Sequence, residues 1–497
     1  MTKNSLLYVS AIVVIAKLIA FIRELVLSYY FGMTEVTDAF NIAYTIPITI
    51  IGFVATAINT SYIPVFNKAD SEKGRNAANM FSNAVLYVIF LISAGTFIII
   101  QLFAPQIVSL FASGFNSETS EMAVSLTRYM CVSVFLITYN NLISAFVQLK
   151  NRYYVVIYGN IIFYVFSIIG IVIASVWSIK WMALGVVIGY FLESLLLTIY
   201  AIKEKYKFIR LKGLNSPYFR DFVILVLPVL FGIFASDINM IVGKTLASRF
   251  QAGSVSALSY AQKINEAILS VFITSVVQLA YPRISKAVYE NNNNKVSSQI
   301  ENDVTFLSFV IIPVTLYILL FGKQITDLLF LRGAFTENDS QIVYYALLIY
   351  TLGLIPSAFR KYIVRIFYSF GDSKTPAFNS VIVILINILL SVILSNCIGL
   401  NGIALGASIA ILLGAVRLVF KVRKYVKLRL GKFIMPIIKI TTLSTCAIVI
   451  SRTTYSFIEV VFNRNVSTVI SGCIFMLSYL ILIKAFHLGH LISYIKK

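Results

Sequence analysis

Fourteen apolar runs, each close to the length needed to cross a bilayer, constrain this chain more than any other feature. They lie near 5–31, 39–66, 78–103, 122–148, 154–176, 181–202, 219–248, 254–281, 303–322, 341–369, 376–397, 400–420, 433–456 and 466–490, and a helix needs roughly 20 residues to span hydrocarbon. Inside lipid, only helices and closed barrels satisfy every backbone group. Runs this long and numerous predict an all-α polytopic membrane protein of about 14 transmembrane helices. Composition agrees, since 59% of the 497 residues are hydrophobic and only 12% are charged, far from the usage of soluble domains. No small-residue cleavage site follows the first run, which reads as a retained helix and not a signal peptide.

The same inventory argues against an enzyme. The only two histidines, His487 and His490, stand near the C-terminal end, leaving none in the body of the chain for a general base or a metal centre. Cys131, Cys397, Cys446 and Cys473 are scattered through apolar runs without C-x-x-C spacing and read as small buried hydrophobes. No catalytic residue, metal ligand or cofactor motif is expected.

A formal charge of +21 suggests a nucleic-acid partner only until the charges are placed. They fall between the apolar runs, in alternate connections: Lys68, Lys73 and Arg75; Lys150 and Arg152; Lys203 to Lys212; Arg283, Lys286 and Lys295; Lys374; and Lys421 to Lys432. The intervening connections at 32–38, 104–121 and 398–400 hold no basic residue. This is the pattern of topology determinants and of contacts to anionic head groups. It predicts a multi-pass inner-membrane protein with both termini cytoplasmic and no nucleic-acid partner. Asn291 to Asn294 read as a solvated cytoplasmic loop.

A weak internal repeat organises the spans. The first ends in a Phe-Gly turn followed by DAFNIAYTIP, and the seventh ends at Phe250 with a similar continuation, SVSALSYAQKIN. Two parallel halves follow: a six-helix lobe over 1–202, a basic cytoplasmic linker over 203–218, a second six-helix lobe over 219–428, and two extra helices over 429–497. Pro47, Pro228 and Pro356, with Gly52, Gly232 and Gly353 nearby, permit bends.

Several charges sit too deep for a lipid-facing position, where a cation costs roughly 2.5–3.5 kcal/mol at the helix centre. From the helical rise, Arg23 lies about 12 Å and Lys17 about 21 Å below the turn at Phe31, and Lys263 about 14 Å below Ser254. Six residues separate Lys17 from Arg23, about 120° around the helix, so they share a cavity only if it is broad or their side chains bend. Asp38, Asp237 and Glu266 are the counter-charges or gate, Glu266 being three residues from Lys263 on one helix face. One reading is an internal ion-pair network. The other is a cationic cavity for an anionic substrate, favoured because the cations outnumber close acids; arginine's fork and lysine's mobile charge would both suit a pyrophosphate. Glu193, Arg360 and Lys361, with Arg128 and Arg365, face either the cavity or an interface. Asn140, Asn141 and Asn387 are expected to bond across helices.

The runs R-E-x-x-x-S-Y-Y-F-G-x-x-x-x-x-D-A-F at 23–40, Y-I-P-V-F at 62–66, L-F-x-x-G-x-F-T-x-x-D at 329–339 and F-Y-S-x-x-D-x-x-T-P at 367–376 resemble those of the MurJ (MviN) lipid II flippases, members of the multidrug/oligosaccharidyl-lipid/polysaccharide exporter superfamily. The resemblance runs from the first span to about the twelfth. It implies two six-helix lobes around a cavity open alternately to each side, and a polyprenyl groove built by the last two spans. Carried over by position, it puts the pyrophosphate-binding cations at Lys17, Arg23 and Lys263, an outer acid at Asp38, and Glu266 after the last cation. After Pro47, where the family carries basic residues, this chain has Ile50, Ile51 and Gly52.

The function implied is flipping of an undecaprenyl-pyrophosphate-linked glycan precursor, with lipid II first, for peptidoglycan synthesis. Its partners are the lipid-linked glycan, membrane lipids, and a coupling ion or the membrane potential. The alternatives are a flippase for an O-antigen or capsule repeat unit and a cation-coupled multidrug exporter, the latter expected to line its cavity with acids. A scaffold with all charges paired would tolerate neutral replacement of Lys17, Arg23 and Lys263 together. A membrane glycosyltransferase would need acidic catalytic residues in a large external loop, and no connection here is long enough.

Overall fold

The computed structural model describes residues 3–208, 214–290, 292–426 and 430–486, and the histidines at 487 and 490 lie outside them. Among the described residues every regular element is helical. The order is α1 (Lys3–Phe31), α2 (Glu35–Phe111), α3 (Ser117–Met130), α4 (Ser133–Leu149), α5 (Tyr153–Ala174), α6 (Lys180–Lys203), α7 (Pro217–Ala247), α8 (Ser254–Ile268), a π-helical turn (Leu269–Ile273), α9 (Thr274–Tyr289), α10 (Asn293–Phe330), α11 (Glu337–Leu352), α12 (Leu354–Ser369), α13 (Lys374–Ile398), α14 (Leu400–Val422), α15 (Leu430–Ile458) and α16 (Arg464–Ala485). Among the described residues nine helical segments, one of them running from α8 through α9, are long and apolar enough to cross a membrane, or eleven if the bent pairs α3–α4 (45°) and α11–α12 (41°) each count as one crossing.

Local chemistry sets the helix ends. Asn116 caps α3 by accepting from the Thr119 amide at 2.8 Å. Thr336 and Asp339 form a reciprocal capping box at the start of α11, satisfying two amides that the helix leaves without partners. Ser216 caps α7 with Pro217 in its first turn, where a missing N–H removes no helical bond. The expected loop at 291–294 is shorter than the sequence suggests: Asn292 accepts from the Lys295 amide at 2.9 Å and α10 starts at Asn293, while Asn291 lies outside the described residues.

Two of the apolar runs join into one element. The helix α2 runs 77 residues through 39–66 and 78–103, interrupted by non-helical angles at Gly74 and Phe103. Gly74 has a φ of 76°, in the left-handed region where a missing Cβ removes the penalty, so the connection turns without a loop.

The chain divides into two compact units, Met1–Ser256 and Ala257–Lys497. In the first, α2 packs against α3, α4 and α7, and α5 against α1 and α6. An aromatic core at the Gly74 end stacks Tyr62 on Phe81 at 5.6 Å, sets Phe66 edge-on to Phe146 at 5.8 Å, and holds Arg75 over Phe66 at 5.0 Å. The α5–α6 contact depends on Gly170 and Gly185: a Cβ on either would lie within 2.7 Å of the other's Cα, the small-residue packing by which helices associate without hydrophobic driving force. In the second unit, α10 carries the α15–α16 hairpin through stacked Tyr317–Phe475 and Phe309–Tyr479 pairs at 4.9 and 5.5 Å.

The cysteines depart from expectation. Cys131 is buried, but Cys397, Cys446 and Cys473 are exposed, because on a membrane helix the lipid takes the place of a protein interior for an apolar side chain.

Candidate functional site

Among the described residues Arg23 is the most confined cation of the first unit, with 3% of its surface exposed. It donates from Nη2 to Glu24 Oε1 at 2.6 Å, and its guanidinium lies 4.6 Å from the centre of the Tyr44 ring on α2. Its Nε and Nη1 are buried with no hydrogen-bond partner among the described residues. An ion pair and a ring face offset part of the desolvation of a buried charge, and two N–H groups remain for a ligand. Tyr164 on α5 lies within electrostatic reach of Arg23, Glu24, Tyr44 and Glu193. Tyr190 on α6 stacks on Phe163 at 4.1 Å and reaches the Tyr44 hydroxyl. With Asn140 of α4, which donates to the Tyr190 carbonyl at 3.2 Å, five helices contribute to one buried polar layer: α1, α2, α4, α5 and α6.

Lys17 belongs to the same helix but is exposed, as the rotation of about 120° between the two positions requires. Asp38 is buried and fully engaged: it accepts from the Gly253 amide at 2.9 Å, the Ser256 amide at 2.7 Å and the Ser256 hydroxyl at 2.6 Å. A carboxylate at amides opening a helix is favoured both by hydrogen bonding and by the helix dipole. Around it, Asn41 donates to Ser256 Oγ at 3.0 Å, and Lys244 donates to the Asn41 carbonyl at 3.2 Å and to Thr45 Oγ. Further along α7, Thr245 donates to the carbonyls of Leu110 and Phe111 at 2.9 and 3.0 Å. Asp237 lies on α7, but its side chain is outside the described ones.

In the second unit, Lys263 and Glu266 approach to 3.7 Å with side chains 46% and 67% exposed. Lys361 is exposed as well, with Glu266 as its nearest acidic influence. Arg360 donates to Ser380 Oγ at 2.9 Å, while its Nε is buried without a hydrogen-bond partner among the described residues. Arg365 stands 5.7 and 5.8 Å from the rings of Tyr281 and Tyr368. Of the asparagines, Asn140 bonds across helices to the Tyr190 carbonyl at 3.2 Å and Ser194 at 2.6 Å, Asn141 bonds back to Ile137 on its own helix, and Asn387 accepts from Ser391 on its own helix.

Sequence reasoning missed Glu24, the acid beside Arg23, although an acidic residue next to a deep arginine is visible in the first motif. It missed Tyr44, Tyr164 and Tyr190, for which no local signal exists. It also missed two buried acids of the second unit. Asp303 accepts from Tyr362 at 2.9 Å and Gln299 at 3.0 Å. Asp327 pairs with Lys323 at 2.6 Å and Arg464 at 3.2 Å, fastening α16 to α10.

The family model described as lipid II flippase MurJ matches residues 27–480. A probable lipid II flippase MurJ of Rickettsia prowazekii is 28% identical over 408 residues, covering 80% of this chain and 79% of the relative. That of Borreliella burgdorferi is 25% identical over 421 residues, covering 82% and 81%. Among solved structures, a lipid II flippase MurJ in an inward closed conformation superposes with a TM-score of 0.83 at 25% identity, covering 97% of this chain and 99% of that one. An inward-facing multidrug resistance MATE family transporter gives 0.71 at 14% identity, covering 86% and 96%, which is a likeness of fold. The chain belongs to the lipid II flippase MurJ family, a family of transporters and not of enzymes.

Proposed function

We propose that this protein carries lipid II, an undecaprenyl-pyrophosphate-linked peptidoglycan precursor, across the cytoplasmic membrane by alternating access. Family membership supports the substrate class, and the observation that carries the site is Arg23, a deeply buried guanidinium with two N–H groups unpaired. A pyrophosphate supplies the acceptors those groups lack, and charge-assisted hydrogen bonds to phosphate are among the strongest available. Lys17 and Lys263, both exposed, add point charges for the same head group in this reading. The sugar rides in the polar cavity, the polyprenyl tail stays in lipid, and no bond is made or broken.

Asp38 is the outer gate in this reading. Its three bonds at residues 253–256 would have to break for the cavity to open outward. Counting α1, the arm of α2 before Gly74, and α7 beside the eleven apolar crossings gives fourteen, so both termini sit on the cytoplasmic, lysine-rich side. The lobes are 1–202 and 219–428, linked by 203–218, with 429–497 as the extra pair. Charge moving with the head group gives the membrane potential a grip of about 2.3 kcal/mol per charge per 100 mV.

Conditional replacement of a bacterium's essential lipid II flippase by this chain tests the reading, with Arg23→Ala made to the same membrane level. Growth on the wild-type chain and none on the variant is the expected result. Growth on both would remove Arg23 from transport. Failure of both despite confirmed insertion would shift the substrate to another lipid-linked glycan.

A further inference from the structure

The buried layer around Arg23 holds a second acid that the pyrophosphate site does not use. Glu193 on α6 is 5% exposed, and its carboxyl lies beside the Asn140 amide. Asn140 is held in place, receiving the Ser194 hydroxyl on its oxygen at 2.6 Å and giving its amide to the Tyr190 carbonyl at 3.2 Å. Gly159 on α5 makes the room: a Cβ there would sit 3.0 Å from Glu193 Cγ.

No cation offsets this acid among the described residues. From α1, the nearest charges are Arg23, already paired with Glu24. From α2 comes Tyr44; from α5, Tyr164; from α4, Asn140 and Tyr139, whose hydroxyl meets Thr198 at 2.5 Å; from α6 itself, Tyr190. All the titratable neighbours other than Arg23 and Glu24 are phenols. On the α3 side, Tyr129 meets Lys180, thirteen residues or about 20 Å along α6 from Glu193. An ionised carboxylate in such surroundings would be a buried, unpaired anion at membrane depth, which is among the least favourable arrangements available to a side chain. Among the described residues no group of three or more His, Cys, Asp or Glu side chains gathers there to hold a metal ion.

We propose that Glu193 is a proton-binding site of the first unit, carrying one exchangeable proton at neutral pH and making the proton the coupling ion of the flippase. The coupling clause rests on the transport reading above; the proton site does not. The step is a simple exchange, in which the carboxylate takes H⁺ from water on the side the cavity faces and returns it to water on the other. Loss of the proton inside the closed layer would leave the unpaired anion, so release waits on hydration of that layer.

Infrared spectroscopy of the full chain in hydrated lipid films tests the site without any lipid-linked substrate. At neutral pH the wild type is expected to show a protonated-carboxyl stretch that shifts in D₂O, disappears in Glu193→Gln and moves in frequency in Glu193→Asp. A wild-type minus Glu193→Gln difference spectrum showing loss of an ionised carboxylate band instead would overturn the proposal, as would an identical spectrum. If Glu193→Gln does not fold, the wild type against Glu193→Asp decides: a carboxyl stretch that moves supports the site, and one that does not contradicts it. In vesicles, an imposed pH gradient is expected to change the wild-type flipping rate several-fold and that of Glu193→Gln not at all. Equal responses to the gradient would reject the proton as coupling ion, whatever substrate is moved.

Discussion

The two units treat their deep charges in opposite ways. In Met1–Ser256, Arg23 is 3% exposed and closed against Glu24 at 2.6 Å, beneath the Tyr44 ring. In Ala257–Lys497, Lys263 and Glu266 stand 3.7 Å apart with roughly half or more of each side chain open. A charge removed from water requires a tight partner, because an uncompensated one costs several kcal/mol; a charge left in a wet cavity needs none, and its pair contributes about 0–1 kcal/mol. The first unit therefore holds a buried, paired guanidinium, and the second an exposed, loosely paired lysine.

Breaking the buried pair gives the largest expected effect. Arg23→Ala removes the ion pair with Glu24 and lowers stability by about 3–5 kcal/mol, readable as a fall in thermal midpoint in detergent. Removing both charges, with Arg23→Gln and Glu24→Gln together, recovers most of that loss without recovering transport. A double variant as unstable as the single one would show that the layer is held by something other than the pair. Next comes Asp38→Ala, which strips three hydrogen bonds from residues 253–256. Bonds to a charged acceptor contribute about 1.5–3 kcal/mol each and do not add fully, so a loss of about 2 kcal/mol is expected, together with faster labelling of a cysteine introduced at the exposed Thr34.

How much of this was legible in the sequence follows from the range of each interaction. The apolar runs, the capping residues of α3 and α11, and the i,i+3 spacing of Lys263 and Glu266 are local, and each is visible in a window of a few residues. The importance of Arg23 was visible too, since an arginine in an apolar run must face something polar. Its partner was not expected, because residues i and i+1 do not face one another on a helix; the long guanidinium stem overcomes that geometry. Tyr44, Tyr164 and the Tyr190–Glu193 pair meet only through tertiary packing, across as many as 149 positions, and no period in the sequence joins their three helices. The fusion of two runs into α2 was hidden for another reason: a basic, polar stretch reads as a loop, although Gly74 alone makes the turn.

Smaller effects sharpen the contrast from the other side. Lys263→Gln is expected to shift stability by less than about 0.5 kcal/mol, as for an exposed position, and to weaken binding of a pyrophosphate lipid in a salt-dependent way. A large loss of stability there would erase the distinction between the units. Least of all is the effect of Asp372, outside the membrane-spanning segments in the connection before α13. The Thr375 amide at 2.9 Å and the Tyr425 hydroxyl at 3.0 Å hold its carboxyl below the usual carboxylate range. A group depressed in the folded state adds stability above its unfolded value and loses it as pH falls through its folded one. The wild type should therefore lose slightly more stability than Asp372→Asn between neutral pH and pH about 3, as read from thermal midpoints.

The most direct test of Arg23 as the phosphate ligand is binding, measured by native mass spectrometry on the purified chain with undecaprenyl pyrophosphate, for wild type and for the Arg23→Gln, Glu24→Gln double variant that keeps the layer neutral. Phosphate held by the two unpaired N–H groups predicts at least a tenfold loss of affinity in the double variant, with the helical fold intact. Equal affinity in the two proteins would contradict it and leave the buried guanidinium as a structural tie alone.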